Sequence, residues 1–473
     1  MGVKVENVGK IYKKVPPEGG WGYIVGGAVS LMFMVTIVPT TVFGMVYGEF
    51  LAGLGDETGA TTLINGVFNT VLCFTGLPVN HLLQKYTYRK VGLMGAGIYF
   101  IGTLGNVFVT NLSQMLLSFG VFQGLGFGLM MPAVFSAFNS YFDKRQNVVM
   151  GACQALIVVV SIGWPILTKM MMEEYGFRGT AAIFSALSLH GFVAMMVLQP
   201  VSWHMKKEVV DPIEMNEEEL TAENRLMDEG HNKNENRKGK RPSVASLNGY
   251  ACSLQNVNRE SQTDEDLGIW KRISKSLDLE LFKESRYVNI AFGLSLGMTS
   301  DLAFISIYPL LLISYGFNHS EVTTLFTIYF TADLVSRIAL SVVSGVFKIW
   351  NRYVFLLGAL LSAIFRVVFV LNNSFIWIAT TTAILGFLRC FIQTPLPLVV
   401  AEQYGARFPT AFSLYMVVCG VVALAVGVLS GVIKNLTQSN TMVVHLLTVV
   451  YLFCAIPWII EIIITKLKKK NDL

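Results

Sequence analysis

The stretch GYIVGGAVSLMFMVTIVPTTVFGMV, residues 22 to 46, contains no charged residue. A helix rises about 1.5 Å per residue, so about 20 apolar residues are enough to cross the hydrocarbon layer of a bilayer. This stretch is therefore long and apolar enough to span a membrane. It is too long for the apolar part of a signal peptide and it follows a polar leader, so we interpret it as a retained first span.

Similar apolar runs recur along the rest of the chain. Hydrophobic residues make up 53% of the sequence and charged residues only 14%, which would leave a soluble globule too little polar surface. We therefore predict an all-α membrane protein with twelve transmembrane helices. The predicted spans cover residues 22–46, 61–83, 91–110, 115–138, 149–172, 180–199, 287–313, 322–346, 353–372, 375–400, 409–433 and 442–464.

A long polar segment separates the first six predicted spans from the last six. Its composition between residues 201 and 266, rich in Glu, Asn, Lys and Ser, cannot bury enough apolar surface to fold. The stretch LGIWKRISKSLDLELFKESR, which begins at Leu267, has the apolar spacing typical of an interfacial helix. The predicted domains are a cytoplasmic N-terminus (1–21), a first six-helix bundle (22–199), a largely disordered cytoplasmic loop ending in an interfacial helix (200–286), a second six-helix bundle (287–465) and a cytoplasmic tail (466–473).

The distribution of Lys and Arg predicts the orientation, because positive residues are retained on the cytoplasmic side. The loops that share a side with both termini carry most of these residues, while the opposite loops contain only Lys169, Arg178 and Lys434. We therefore expect both termini in the cytoplasm. Sequons of the form Asn-x-Ser/Thr fall in the opposite loops, at Asn111, Asn318, Asn372 and Asn435.

Two motifs carry a resemblance to a known family. PPEGGWGY, residues 16 to 23, resembles the signature that opens the first helix of the monocarboxylate transporter family, within the major facilitator superfamily. YFDKRQNVVMGACQA, residues 141 to 155, resembles the second signature of that family, which joins helices 4 and 5. The matching positions are Glu18, Gly19, Gly20, Trp21 and Gly22 in the first motif and Tyr141, Phe142, Lys144, Arg145 and Gly151 in the second.

This resemblance implies both a fold and a function. The fold is that of the major facilitator superfamily, in which two six-helix bundles open a central site to either side of the membrane in turn. The implied function is secondary transport of a small monocarboxylate or another carboxylate-bearing solute. The sequence has no H-E-x-x-H, G-x-S-x-G or Walker-type motif, so we expect no enzyme activity, no cofactor and no metal.

The eighth predicted span contains two charged residues, Asp333 and Arg337. An ionised side chain in mid-bilayer costs about 2.5 to 3.5 kcal/mol on insertion scales, so it needs a partner or a function. The two residues are four apart and share one helical face, where they can neutralise each other. The resemblance matches them to the Asp and Arg that the family uses for proton exchange and for anchoring the substrate carboxylate. The alternative is an ion pair that only holds helices together.

Late in the first span the sequence departs from the family pattern. Proton-coupled members carry a Lys after a Pro at this place, whereas Thr40 follows Pro39 here. The chain therefore lacks one of the three charged residues, a Lys, an Asp and an Arg, on which proton symport depends in the family. This absence favours facilitated exchange or another substrate class.

Asp301 in the seventh span and Arg389 in the tenth are charges that the resemblance does not lead us to expect. If they line one cavity with Asp333 and Arg337, the four form a neutral set that would suit a zwitterion, such as an amino acid, creatine or a carnitine-like solute. Alternatively, Asp301 and Arg389 pair only for stability. Arg366 lies near the end of the ninth predicted span, where we expect its side chain to reach the membrane interface or to pair there.

The predicted function is therefore a plasma-membrane transporter of a small organic anion. A zwitterion facilitator without proton coupling is the first alternative, and a sensor or scaffold with a transporter fold is the second. Candidate partners beside the solute are protons, membrane lipid and a single-span ancillary protein, and nucleic acid is not expected. The predicted substrate-binding residues are Arg337, Asp333, Thr40, Arg389 and Asp301.

Overall fold

The computed structural model describes residues 11–53, 57–210, 279–347 and 349–471. The chain divides into two units. One unit consists of residues 1–17 and 200–272, and the other consists of residues 18–199 and 273–473, which include all the predicted spans.

The first unit contains a small antiparallel sheet. Strand β1 (Ile11–Val15) pairs with strand β2 (Lys206–Val210), so that Ile11 lies opposite Val210. Strand β2 falls inside the segment for which composition predicts a largely disordered loop. Its pairing with a distant segment supplies backbone hydrogen bonds that local composition does not reveal. Residues 211–278, with most of the predicted interfacial helix, lie outside the described residues.

The second unit begins with spans 1 to 6. Their helices are Trp21–Thr41 and Phe43–Ala52 in span 1, Glu57–Phe74 and Gly76–Lys85 in span 2, Tyr88–Val107 in span 3, Leu112–Met115, the π-helix Leu116–Gln123 and Gly124–Tyr141 in span 4, and Gln146–Ser188 and His190–Met196 in spans 5 and 6.

Gly176 separates spans 5 and 6. Its φ angle of 64° is left-handed, a conformation that glycine adopts without the steric cost other residues have. The break divides Gln146–Ser188, so its first part forms span 5 and its second part continues into span 6. The predicted boundary between residues 172 and 180 brackets this glycine.

A short 3₁₀ helix, Leu279–Lys283, leads into spans 7 to 12. Their helices are Ser285–Ser314 in span 7, His319–Val346 in span 8, Asn351–Val370 in span 9, Phe375–Gln393 and Pro395–Tyr404 in span 10, Phe408–Thr437 in span 11 and Asn440–Asn471 in span 12.

Ten helical stretches of the described chain are long and apolar enough to cross a membrane. One of them, Gln146–Met196, contains both span 5 and span 6. The 20-residue helix Tyr88–Val107 supplies the remaining span. The predicted all-α fold of twelve transmembrane helices is therefore confirmed.

Close helix contacts and buried polar side chains hold each bundle together. In the first bundle, a Cβ on Gly126 of span 4 would lie 2.5 Å from the backbone nitrogen of Tyr99 in span 3, so only glycine allows this approach. In the second bundle, Arg352 of span 9 forms a 2.7 Å ion pair with Glu461 of span 12. The Arg352 guanidinium also lies 5.0 Å from the ring centroid of Trp458.

The two bundles meet at the membrane face where span 1 begins and span 12 ends, which we call the termini face. Ser341 of span 8 donates a 2.9 Å hydrogen bond to the Val148 carbonyl of span 5. A Cβ on Gly151 of span 5 would lie 2.9 Å from the Cβ of Ser341. A Cβ on Gly76 of span 2 would lie 2.2 Å from the Ser413 carbonyl oxygen of span 11. The bundles are therefore closed against each other at this face.

The same spans pack loosely toward the opposite face. The second half of span 11 exposes Leu424 by 47% and Val428 by 66%. A Cβ on Gly66 of span 2 or on Gly163 of span 5 would meet no atom within 4 Å. Hydrogen bonds from Arg337 and Ser341 of span 8 and from Asn351 of span 9 reach span 5 in the termini half of the described chain. At Gly66 and Gly163 the two bundles are therefore not in the close contact that they make at the termini face.

Candidate functional site

The two signature motifs form a single structure at the termini face. The Glu18 carboxylate accepts hydrogen bonds from the backbone nitrogens of Asp143 and Lys144 at 2.7 Å and of Arg145 at 3.1 Å. These nitrogens precede span 5, and a helix N-terminus carries a partial positive charge that attracts a carboxylate. The first motif therefore caps the helix that the second motif begins.

Side chains next to Glu18 tighten this contact. Arg145 donates a 3.1 Å hydrogen bond from Nη1 to the Tyr23 hydroxyl. A Cβ on Gly22 would lie 2.8 Å from the Phe142 ring, so the ring packs directly on the glycine backbone. We call residues 18–23 and 141–145 together the N-terminal clasp.

The N-terminal clasp extends to the end of span 6. Trp21 donates a 3.1 Å hydrogen bond from Nε1 to the Val197 carbonyl, and the Tyr141 hydroxyl donates at 3.1 Å to the Gln199 carbonyl. Gly20 has a φ angle of 56°, which lets the chain turn sharply into span 1. The clasp therefore joins spans 1, 4, 5 and 6 and has a structural role in the first bundle.

Removing the Glu18 carboxylate is expected to destabilise the fold without changing solute affinity. Loss of a capping acceptor costs about 0.5 to 2 kcal/mol, so Glu18→Ala should lower the melting temperature of the purified protein, and Glu18→Gln, which keeps one acceptor oxygen, should lower it less. A thermal denaturation assay measures this change. Glu173→Gln is the matched control, since Glu173 pairs only with Lys169 at an exposed site. A changed KM with an unchanged melting temperature would contradict the structural role.

Asp333 and Arg337 of span 8 form a buried ion pair with two hydrogen bonds. Arg337 donates from Nε to Oδ1 of Asp333 and from Nη2 to Oδ2, both at 3.1 Å. The Arg337 side chain is 2% exposed and the Asp333 side chain is 0% exposed. The planar guanidinium fits a carboxylate in this way, and the pairing offsets part of the cost of two ions in the membrane.

Asp301 and Arg389 form a second pair that joins the first. Arg389 Nε lies 3.4 Å from Oδ2 of Asp301, and Arg389 Nη1 lies 3.6 Å from Oδ2 of Asp333. Gln393 connects the two pairs, because it donates to Asp301 at 3.0 Å and accepts from Arg337 at 3.1 Å. The structure thus brings Asp301, Asp333, Arg337 and Arg389 into one network, which we call the central charge cluster.

Arg337 also connects the two bundles. Its Nη1 donates to Oε1 of Gln154 at 3.1 Å and to the Thr394 hydroxyl at 3.3 Å. Gln154 belongs to span 5, so a residue of the first bundle contacts the cluster in the second. Sequence reasoning missed Gln154, Gln393 and Thr394 as site residues, because neutral side chains lack the high cost that marks a charge in a membrane.

Two aromatic rings flank Arg389. Its guanidinium lies 5.4 Å from the ring centroid of Phe330 and 5.8 Å from that of Tyr329. Such rings attract a cation through their negative faces. Arg389 is the most exposed member of the central charge cluster, at 13% of its side chain.

Thr40 does not join the central charge cluster through any contact of the described residues. Its hydroxyl donates a 2.6 Å hydrogen bond to the Ile37 carbonyl of its own helix. A role for Thr40 in binding therefore stays a prediction.

Arg366 corrects one expectation from the sequence, because it does not reach the membrane interface. It is 2% exposed and donates to the Ser300 hydroxyl at 2.6 Å, the Ser300 carbonyl at 3.2 Å and the Tyr451 hydroxyl at 3.3 Å. The reason is its helical face, since Arg366 continues the buried face of span 9 that includes Phe355 and Ala359. The helical face of Arg366, and not its position near the end of the span, therefore determines its burial.

Comparison with known proteins places this chain in a family. The family model of the Major Facilitator Superfamily matches residues 24–276. Monocarboxylate transporter 13 of Rattus norvegicus is 28% identical over 195 residues, which are 41% of this chain and 45% of that protein. Monocarboxylate transporter 1 of Bos taurus is 24% identical over 414 residues, 85% of this chain and 77% of that protein. The match to monocarboxylate transporter 13 thus covers less than half of that protein's length.

Solved structures show the same fold. A variant of the E. coli fucose:proton symporter FucP superposes with a TM-score of 0.59 at 11% identity, covering 92% of this chain and 98% of that one. A structure of FucP in the outward conformation gives a TM-score of 0.56 at 12% identity, with the same coverage.

The twelve spans and these relatives define a multi-pass membrane transporter. The chain belongs to the Major Facilitator Superfamily. Its predicted membership of the monocarboxylate transporter family, first suggested by the two signature motifs, is confirmed by the relatives.

Proposed function

We propose that the protein moves a small carboxylate-bearing solute across the plasma membrane by alternating access, with Arg337 as the anchor for the carboxylate. The observation that carries this proposal is the position of Arg337, which is buried in the second bundle yet bonded to Gln154 of the first. A solute bound at a contact between two bundles can favour one of their arrangements over the other.

The partners of Arg337 suggest how a solute would bind. Asp333 holds Nε and Nη2 and fixes the plane of the guanidinium. Gln154 and Thr394 accept from Nη1, and both are neutral. A solute carboxylate carries a negative charge, so its ion-paired hydrogen bonds with Nη1 would be stronger than those of these neutral oxygens and would displace them.

The closed termini face gives the proposed transport state. With both termini in the cytoplasm, as the Lys and Arg distribution predicts, this face is the cytoplasmic one and the described state faces outward. Displacing Gln154 from Arg337 would release one of the hydrogen bonds between the bundles. We infer that solute binding thereby favours opening of the cytoplasmic face.

We further propose that transport does not require a proton gradient. Thr40 carries no charge at the position where proton-coupled members have Lys. Asp333 is bonded to Arg337, and Asp301 is bonded to Arg389 and Gln393. Each of these aspartates therefore already has an arginine as its counter-ion.

A zwitterion is the second candidate solute, and the Asp301–Arg389 pair favours it. This pair is the longer one, at 3.4 Å, and Arg389 is partly exposed. A solute ammonium could replace Arg389 beside Asp301 and lie near the Phe330 ring, while the solute carboxylate binds Arg337.

An uptake panel tests both candidates. Labelled lactate, pyruvate, aromatic amino acids, creatine and carnitine would be offered to cells expressing the protein, with and without an inward proton gradient. We expect saturable uptake of a monocarboxylate at a rate that the gradient does not change. Uptake of amino acids or carnitine alone would favour the second candidate, and uptake of no solute would contradict both. A rate that rises with the gradient would contradict proton independence.

A further inference from the structure

Arg366 is a third arginine buried beside the central charge cluster, and its charge is not matched. None of the acidic side chains in the described ranges forms an ion pair with it, and its partners are the uncharged Ser300 and Tyr451. Its Nε has no hydrogen-bond partner, although the side chain is buried from solvent. A buried donor without a partner is costly, so this arrangement needs a reason.

Aromatic rings from spans 7 and 12 hold the Arg366 guanidinium. Its central carbon lies 4.4 Å from the ring centroid of Phe304 and 4.4 Å from that of Tyr451. Such stacking stabilises a desolvated cation but leaves its charge intact. The other buried arginine of span 9, Arg352, differs because Glu461 neutralises it.

Arg366 lies close enough to affect the central charge cluster. It donates to Ser300, which directly precedes Asp301 in span 7. A row of rings also connects the two sites: the Phe304 ring under Arg366 lies 5.6 Å from the Tyr308 ring, which lies 6.1 Å from the Tyr329 ring. The Arg389 guanidinium lies 5.8 Å from the centroid of that last ring. These charges therefore act on a common region in the middle of the second bundle.

The charge balance of this region follows from the five side chains. Three arginines and two aspartates leave one positive charge in excess, whereas the central charge cluster alone is neutral. A bound monovalent carboxylate would make the set neutral. A zwitterion would leave the excess charge in the membrane.

We propose that Arg366 is a specificity-determining residue that makes the site favour a monovalent anion over a zwitterion of the same size. This inference rests on the proposed function at Arg337. Arg366 acts through its electric field and not by touching the solute, because Nη1 and Nη2 donate to Ser300 and Tyr451 and two rings cover the guanidinium. As a general guide, a unit charge about 10 Å from an anion changes its affinity by roughly 15-fold at an effective dielectric constant of about 20.

Lactate and alanine provide a matched test, because they share a carbon skeleton and differ by a hydroxyl in place of an ammonium. Arg366→Gln should raise the KM for lactate at least about tenfold, while the inhibition constant of alanine against lactate uptake changes much less. Arg366→Lys keeps the charge and should keep the preference for lactate. Arg352→Gln is the matched control in the same span, and it should leave the ratio of the two constants unchanged.

A second variant keeps the test valid if Arg366→Gln does not reach the membrane. Ser300→Asp places a carboxylate against Arg366, so it cancels the charge while the stacking stays. It should reduce the preference for lactate by a similar factor. If the ratio of the KM for lactate to the inhibition constant of alanine is unchanged in the variants that reach the surface, the inference about Arg366 is wrong, while the proposed function still stands. Absence of Arg337-dependent lactate uptake in the wild type would instead overturn the proposed function.

Discussion

Arg337→Ala is expected to lower carboxylate uptake at least about a hundredfold at equal amounts of surface protein. Two hydrogen bonds from a guanidinium to a carboxylate contribute about 1.5 to 3 kcal/mol each, and about 1.4 kcal/mol corresponds to a tenfold change. Arg337→Lys keeps the charge but loses the planar fork, so an intermediate loss is expected. Initial uptake rates over a range of solute concentrations, normalised to surface-labelled protein, measure the effect.

A double variant separates binding from folding. Arg337→Ala alone leaves Asp333 with Arg389, at 3.6 Å, as its one ion-pair partner among the described residues. Removing one partner of a buried ion pair costs about 3 to 5 kcal/mol. Adding Asp333→Ala removes that charge, so the double variant should reach the surface in wild-type amounts and still transport nothing. Restored uptake in the double variant would show that the pair only holds span 8 in place. Normal uptake by Arg337→Ala would remove Arg337 from the site.

The fold was predictable because the bilayer imposes a local requirement. Each span needs an apolar run of a certain length, and such runs are visible without knowledge of the tertiary structure. The strand Lys206–Val210 was not predictable in the same way, because its partner is the distant segment Ile11–Val15. Composition indicates whether a segment can fold alone. It does not indicate whether a distant segment will pair with it to form a sheet.

The central charge cluster was predictable only in part. Asp333 and Arg337 have helical spacing, so their pairing follows from one helix. Asp301 and Arg389 lie on different spans, and the sequence marks them only as costly charges without showing that they join the same network. Arg366 was misplaced because the face of a helix, rather than distance from its end, determined burial.

Oxidation of Cys73 and Cys419 to a disulfide is expected to stop transport completely and reversibly. Cys73 of span 2 and Cys419 of span 11 are neighbours across the two bundles. A Cβ on the neighbouring Gly420 would lie 2.6 Å from the Cβ of Cys73, so the backbones are close at this point. A disulfide holds the two Cα atoms within about 4.4 to 6.8 Å. The bundles could then no longer separate at the termini face.

Copper phenanthroline is a suitable oxidant, since it accepts the two electrons that the thiols lose as they release two protons. Uptake by the wild type should fall with the fraction of cross-linked protein, determined by mass spectrometry of digested peptides, and dithiothreitol should restore it. Cys73→Ser and Cys419→Ser should be insensitive. These variants keep Cys153, Cys390 and Cys454, which control for oxidation elsewhere. Full uptake by protein shown to contain the Cys73–Cys419 bond would mean that the termini face need not open, and alternating access around Arg337 would be wrong.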